Sequence, residues 1–250
     1  PFTPAFDDAG KLDLTFDSFT FLLTDKLYAI TYLRSVLMAV IATLLCLAIG
    51  FPMAYGIARA REEVRGLLLL LIVLPFWISF LLRVYAWMGL MNNHGAINNV
   101  LLALGVIDAP LQLMYTDFAV FVGLTYSYLP FMILPLYATL ERMDPDLIEA
   151  AQDLGASSTR AFWDITWPLA RPGVIAGCLL VFIPAIGEYV IPYLLGGPDS
   201  LLIGRVLFDE FFANRDWPLA SAVAVVLLLL LVVPIVFLQR NQARDEEGAA

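Results

Sequence analysis

The sequence predicts an all-α polytopic membrane protein, and three observations carry that prediction. The chain is 61% hydrophobic and 15% charged, whereas about a quarter of the residues in a soluble domain are charged, so a soluble fold of this size could not hide its apolar surface. The apolar residues gather into five runs, 33–58, 66–90, 117–140, 171–195 and 217–239. These reach or approach the roughly 20 residues that cross a hydrocarbon core of about 30 Å. Arginines cluster in alternate connections between the runs, the charge pattern of a multi-pass chain.

Taken in order, residues 1–32 hold Asp7, Asp8, Asp13, Asp17 and Asp25 and precede the first run. Arg59, Arg61 and Arg65 crowd the connection to the second run, whereas Met91 to Thr116 contains no Lys or Arg. Arg142, Arg160 and Arg171 mark the connection between the third and fourth runs, Asp199, Asp209, Glu210 and Asp216 lie between the last two, and Arg240 and Arg244 follow the fifth. Short loops rich in Lys and Arg stay in the cytoplasm. Segments 59–65, 141–170 and 239–250 are therefore expected to be cytoplasmic, the C-terminus with them, and 1–32 extracytoplasmic. That first segment begins with Pro1 and has no signal-peptide core, so a sixth, N-terminal span is expected upstream of it.

Prolines punctuate the runs at 52, 75, 130, 135, 184, 192 and 234. In lipid such breaks survive where neighbouring helices or a cavity satisfy the freed backbone groups, and their number favours transport over plain packing. Trp217 heads the last run as an interfacial aromatic would, whereas Trp77 lies deeper. Cys46 and Cys178 fall inside runs without metal-type spacing and read as small apolar filler. His94 is the single histidine, which argues against a zinc or haem site, and a net charge of −9 argues against nucleic acid.

The connection 141–170 carries the most specific signal. Asp144-Pro145 reads as a helix start with proline in the first turn. A short helix over 145–154 then ends at Gly155 in a left-handed cap. Ser157 or Ser158 caps a second short helix to about Ile165, which Pro168 stops. Ala150 and Ala151 keep the surface of this helix–turn–helix thin enough to enter a groove on another protein. A phosphate-binding loop needs glycines followed by Lys and Ser or Thr, and the only lysines are Lys11 and Lys26, so energy for any pumping is expected from a partner.

Glu149-Ala150-Ala151, three residues, Gly155, nine residues, Ile165, one residue, Trp167, Pro168 resembles the EAA loop of binding-protein-dependent ABC importers, with Trp167 in place of the family's leucine. Leu74-Pro75-Phe76-Trp77, Arg83-Val84-Tyr85-Ala86-Trp87, Tyr128-Leu129-Pro130-Phe131-Met132, Phe182 to Glu188, Gly196-Gly197-Pro198-Asp199 and Asn214 to Pro218 resemble permeases of polyamine importers, most closely the putrescine type. The resemblance implies a type I ABC importer transmembrane domain, a non-catalytic transport subunit of a bacterial inner membrane. It further implies a homologous second permease, two ATP-binding subunits that hold the ATP, a periplasmic substrate-binding protein and surrounding membrane lipid. Glu149, Ala150, Ala151, Asp153 and Gly155 would couple to the ATPase, with no metal or cofactor on this chain.

Competing readings are an ion-coupled secondary transporter, a receptor-like membrane subunit, and an ABC permease for iron, thiamine or phosphonates. A secondary transporter would carry several intramembrane ionisable residues, and only Arg83 and Glu188 lie well inside runs. Counted from 66 and 171 along straight helices, the two reach similar depth, so they are expected either to pair or to leave Glu188 facing a cationic substrate. Tyr189 or Trp87 would then supply an aromatic face. Glu188, Tyr189, Trp87 and Arg83 are the candidate pathway residues.

Overall fold

The computed structural model describes residues 3–6, 12–15, 17–198 and 200–248, with side chains described over 17–198 and 200–232 and at 236. Asp7, Asp8, Lys11 and Asp199 lie outside the described residues, as do the side chains of Asp13, Arg240 and Arg244. An antiparallel hairpin opens the chain, β1 (Thr3–Phe6) against β2 (Leu12–Thr15), with Thr3 opposite Thr15. Helices α1 (Asp17–Thr24), α2 (Lys26–Ala58), α3 (Glu62–Val73), α4 (Phe80–Met91), α5 (Ala96–Ala103) and α6 (Asp117–Glu141) follow. Then come α7 (Asp146–Asp153), α8 (Ser158–Ala161), α9 (Trp167–Ile186), α10 (Val190–Leu195), α11 (Ile203–Phe208) and α12 (Trp217–Gly248). Helix suits an apolar chain because it pairs every backbone N–H and C=O within its own segment.

Among the described residues three helical stretches are long and apolar enough to cross a membrane, Lys26–Ala58, Asp117–Glu141 and Ser158–Ile186. Trp217–Val232 is a shorter apolar stretch. The run read as one element over 66–90 is bent: Glu62–Trp77 and Phe80–Ala103 meet at 92°. A 3₁₀ turn over Leu74–Trp77 carries Pro75 in its first turn, and Ile78 and Ser79 are extended with ψ of 138° and 136°. Apolar residues continue through the break, so hydropathy alone does not register the change of direction. The run 171–195 is likewise divided, since α9 ends at Ile186 and α10 begins at Val190. Depths counted along straight rods therefore do not apply to Arg83 or Glu188.

The helices fall into two compact units. The larger, residues 37–186 with 190–200, is built on α6 and α9, which pack along each other. Gly173 and Gly177 face α6, and a Cβ on Gly177 would stand 2.7 Å from Met132 Sδ and 3.1 Å from the Met132 carbonyl oxygen. One on Gly173 would stand 2.9 Å from the Pro135 carbonyl oxygen. Hydrocarbon offers no hydrophobic drive between helices, so association depends on backbones approaching closely enough for dispersion. The part of α2 that belongs to this unit, from Leu37 on, adds a second small-residue face, with Ala39, Ala42, Cys46 and Ala54 fully buried. Cys46 Sγ lies 3.6 Å from the Thr125 carbonyl oxygen. Thr116 Oγ1 accepts a hydrogen bond from Ala119 N at 3.3 Å and opens α6.

The smaller unit comprises 1–36, 187–189 and 201–250. Leu22, Tyr28, Tyr32, Ile203, Val206, Leu219 and Val223 form its core. Two polar side chains inside it are paid for locally. Tyr32 donates its hydroxyl to the Val223 carbonyl at 2.7 Å, and Ser35 Oγ accepts from Ile203 N at 2.7 Å. Asp216 Oδ1 accepts from Leu219 N at 3.1 Å, with Pro218 in the first turn of α12 where its missing N–H is not needed.

Gly177→Leu is expected to destabilise the protein by about 1–3 kcal/mol, the usual penalty for overfilling a packed contact, whereas Gly66→Leu, where a Cβ meets nothing within 4 Å, is expected to be near neutral. Thermal unfolding of the two variants in detergent compares them. Equal midpoints would contradict the close α6–α9 contact.

Candidate functional site

The connection after α6 folds into a short projecting helix. Asp144 Oδ1 accepts from Asp146 N at 3.0 Å and starts α7, with Pro145 at the turn. Asp146 and Glu149 lie in the first turn, where carboxylates favour the positive end of the helix dipole. At the other end Gly155 has φ of +85°, Gly155 N donates to the Gln152 carbonyl at 2.8 Å and Ala156 N donates to the Ala151 carbonyl at 2.9 Å. This pair of bonds closes the helix as a Schellman motif, with glycine in the left-handed position it takes at least cost. Ala151 thus has two roles, one in the surface pattern and one in the cap.

Glu149, Ala150, Asp153 and Gly155 are exposed, and Ala151 is half-buried. Leu147 and Leu154 also stand in solvent, Leu154 90% exposed. The five residues read as coupling residues are therefore brought together on one helix and its cap. Among the described residues no Lys or Arg makes an ion pair with Glu149. The helix presents carboxylates, small side chains and two leucines, a surface suited to a groove with basic and apolar lining.

Ser157 caps the next turn, its Oγ accepting from Arg160 N at 3.3 Å. The chain does not stop at Pro168, as the sequence led one to expect. A π-turn over Phe162–Thr166, in which Trp167 N reaches the Phe162 carbonyl, carries the helix from Ser158 through to Ile186. The widened turn makes room for the proline ring, which would otherwise clash with the carbonyl four residues back. Its rings gather on α2: Phe51 lies 5.6 Å from Phe162 and 5.8 Å from Trp167, and Trp163 lies 5.7 Å from Trp167. Trp167, the departure from leucine, is thus an aromatic contact to α2. Arg65 ties the same end of the unit, pairing with Glu141 at 2.8 Å and donating to the Ala58 carbonyl at 3.2 Å.

The candidate pathway residues divide between the two units, Arg83 and Trp87 in the larger, Glu188 and Tyr189 in the smaller, so each pair is described with its own neighbours. Arg83 is buried, its guanidinium 5.3 Å from the Phe76 ring centre and 5.6 Å from that of Phe80. Trp87 makes an edge contact with Tyr126 at 5.4 Å and lines an apolar cleft of about 470 Å³ with Phe118, Phe121 and Thr125. Glu188 is buried in the break between α9 and α10. Tyr189 stacks on Phe208 at 4.0 Å, and Phe208 lies 4.6 Å from Phe212. Phe208 and Phe212 escaped the sequence reading because their spacing of four is that of any helix face. Only the stacking partner distinguishes them.

A helical fold with several stretches long and apolar enough to cross a membrane, and a capped helix set between two of them, is the architecture of a multi-pass membrane subunit. The chain belongs to the family described as binding-protein-dependent transport system inner membrane component, whose pattern matches residues 47–246. It is 46% identical over 227 residues to the spermidine/putrescine transport system permease protein PotB of Escherichia coli K12, covering 90% of this chain and 82% of that one. The protein of the same name from Haemophilus influenzae is 43% identical over 222 residues, covering 89% and 77%. An E. coli inner membrane ABC transporter permease protein, YdcU, is 32% identical over 257 residues, covering 92% and 81%. Among solved structures, a bacterial ABC transporter involved in the import of the acidic polysaccharide alginate superposes with a TM-score of 0.69 at 19% identity, covering 93% of this chain and 84% of that one. The fold is the type I ABC importer transmembrane domain.

Proposed function

We propose that this chain is the permease of an ATP-driven polyamine importer, forming the path for putrescine or spermidine while a separate ATPase drives it through the Glu149–Gly155 helix. The observation that carries the reading is the preformed α7: exposed Glu149 and Ala150, closed by a left-handed Gly155, in a chain nearly half identical to permeases named for spermidine and putrescine. A permease without its own nucleotide site can be pumped only if ATP binding elsewhere favours one of its access states. A stiff helix with a fixed cap transmits such a bias better than a flexible loop.

The assembly we infer contains a homologous second permease, two ATP-binding subunits and a periplasmic substrate-binding protein, in a bacterial inner membrane with the C-terminus of this chain in the cytoplasm. ATP belongs to the partner subunits. Uptake of labelled putrescine and spermidine by the assembled transporter in proteoliposomes tests the substrate class. Accumulation of iron, thiamine or a phosphonate in their place would replace it.

Coupling is expected to depend on α7. Glu149→Lys and Gly155→Val should each abolish substrate-stimulated ATP hydrolysis while the purified chain keeps its melting temperature within a few degrees. Normal uptake by both variants would remove α7 from the coupling path.

Orientation is read from cysteine labelling after Cys46 and Cys178 are replaced by Ala. Asp108→Cys, an exposed position, should react with an impermeant thiol reagent from outside, and Thr159→Cys, also exposed, only after permeabilisation. Asn98 would be a poor probe, since it is fully buried. The reverse labelling pattern would invert the topology.

On the pathway, Glu188 is assigned to the cationic substrate and Tyr189 to an aromatic contact with it, because a buried carboxylate beside a stacked ring suits an ammonium group. Arg83 and Trp87 are assigned to the pathway wall. Glu188→Gln should lower uptake at least about tenfold, the order of a lost charge-assisted hydrogen bond. Full activity of that variant would exclude the assignment.

A further inference from the structure

A polar pocket of about 280 Å³ lies on the larger unit, away from α7 and from Glu188 in sequence and element. Met88, Asn92, Asn93, Gln112, Met114 and Tyr115 line it. Asn98 holds its two rims together from beneath. Its Nδ2 donates to the Asn92 carbonyl at 3.2 Å and to the Leu111 carbonyl at 2.9 Å, and its Oδ1 accepts from Leu111 N at 2.9 Å. Every hydrogen-bonding position of this buried side chain but one is spent on fixing the spacing of Asn92 and Gln112.

Tyr115 supplies the second observation. Its φ is +61°, a conformation costly for an aromatic residue and kept only where its surroundings over-determine it. Here they do: Tyr115 N donates to the Leu195 carbonyl at 2.9 Å, and the Tyr115 carbonyl occupies the space a Cβ on Gly197 would need, at 2.5 Å. The Gly196-Gly197 turn thus locks Tyr115 in a left-handed conformation, leaving the residue 59% exposed at the pocket. Strain held in this way at a concave surface points to use of the side chain it presents.

The pocket's chemistry narrows the ligand. Among the described residues the side-chain oxygens of Asn93, Gln112 and Tyr115 make no hydrogen bond within the protein, so three acceptors stand uncommitted around one cavity. Met88 and Met114 supply adaptable apolar walls. No Lys or Arg occurs from Met91 to Thr116. Neutral oxygen acceptors, an aromatic face and thioether walls on a stretch without Lys or Arg match an aminoalkyl end: a primary ammonium with three N–H donors, followed by methylenes. We propose that this pocket receives an ammonium terminus of the polyamine as it enters the transporter. The proposal rests on the polyamine reading above and adds a site to it.

Equilibrium binding of labelled putrescine to the assembled transporter in nanodiscs, with the substrate-binding protein omitted, tests it. Gln112→Leu is expected to weaken binding about tenfold, the size of one hydrogen bond to a charged group. Gln112→Glu, which keeps an acceptor and adds a negative charge, is expected to tighten it. The second variant keeps the test decisive if Gln112→Leu misfolds. Unchanged affinity in both variants, or weakening in both, overturns the pocket assignment while leaving polyamine transport intact. So does a fall in affinity for the substrate-binding protein with putrescine binding unchanged, which would make the pocket a protein contact. A wild-type transporter that neither binds nor accumulates any polyamine overturns the functional reading itself.

Discussion

The close approach of α6 and α9 is the contact on which the larger unit depends. Glycines at 173 and 177 remove the side chains that would hold the two backbones apart, and Met132 and Pro135 of α6 fill the space they leave. In a membrane this substitutes for the hydrophobic drive that buries a soluble core. The consequence is directional. α6 leads into α7, and α9 leads out of it through α8 and the π-turn, so the two helices packed most intimately are those joined by the projecting helix. Under the coupling role proposed for α7, a displacement of that helix would reach a closely packed pair instead of a loose one.

The aromatic cluster beneath α7 extends that connection. Phe162 and Trp167 rest on Phe51 of α2, one residue before Pro52. Proline leaves a helix without one of its hydrogen bonds and so marks where it yields most readily. The π-turn over Phe162–Thr166 has the same character, because its widened ring of hydrogen bonds can relax toward α geometry. Stiff packing and two soft points on neighbouring helices are the physical ingredients of a switch between discrete arrangements.

Much of this was legible in the residues. The α7 helix, its Asp144 start, its Gly155 end and the Ser157 cap follow from local chemistry, because a cap is a contact between residues only a few positions apart. The apolar runs were legible for a similar reason: crossing a membrane imposes length and composition on each segment separately. The 92° bend at Ile78 and Ser79 was not, since hydropathy averages over a window and does not record direction. The passage of helix through Pro168 was missed because a proline stops an α-helix but not one already widened by a π-turn. The pocket at Asn92, Gln112 and Tyr115 was invisible too, its members being brought together by Asn98 and by a turn some eighty residues further along the chain.

By itself the sequence determined that this chain is helical, membrane-embedded and equipped with a capped helix on the connection between its third and fourth apolar runs, for these are properties of short segments under a uniform solvent constraint. Tertiary structure alone decided which small residues meet, where apolar runs turn, which rings stack and which polar side chains converge on a common cavity. Those outcomes depend on contacts between segments far apart in sequence. The energy of each such contact is set by ångström-scale distances, such as the space at Gly177 or beside Tyr115, that no single segment encodes.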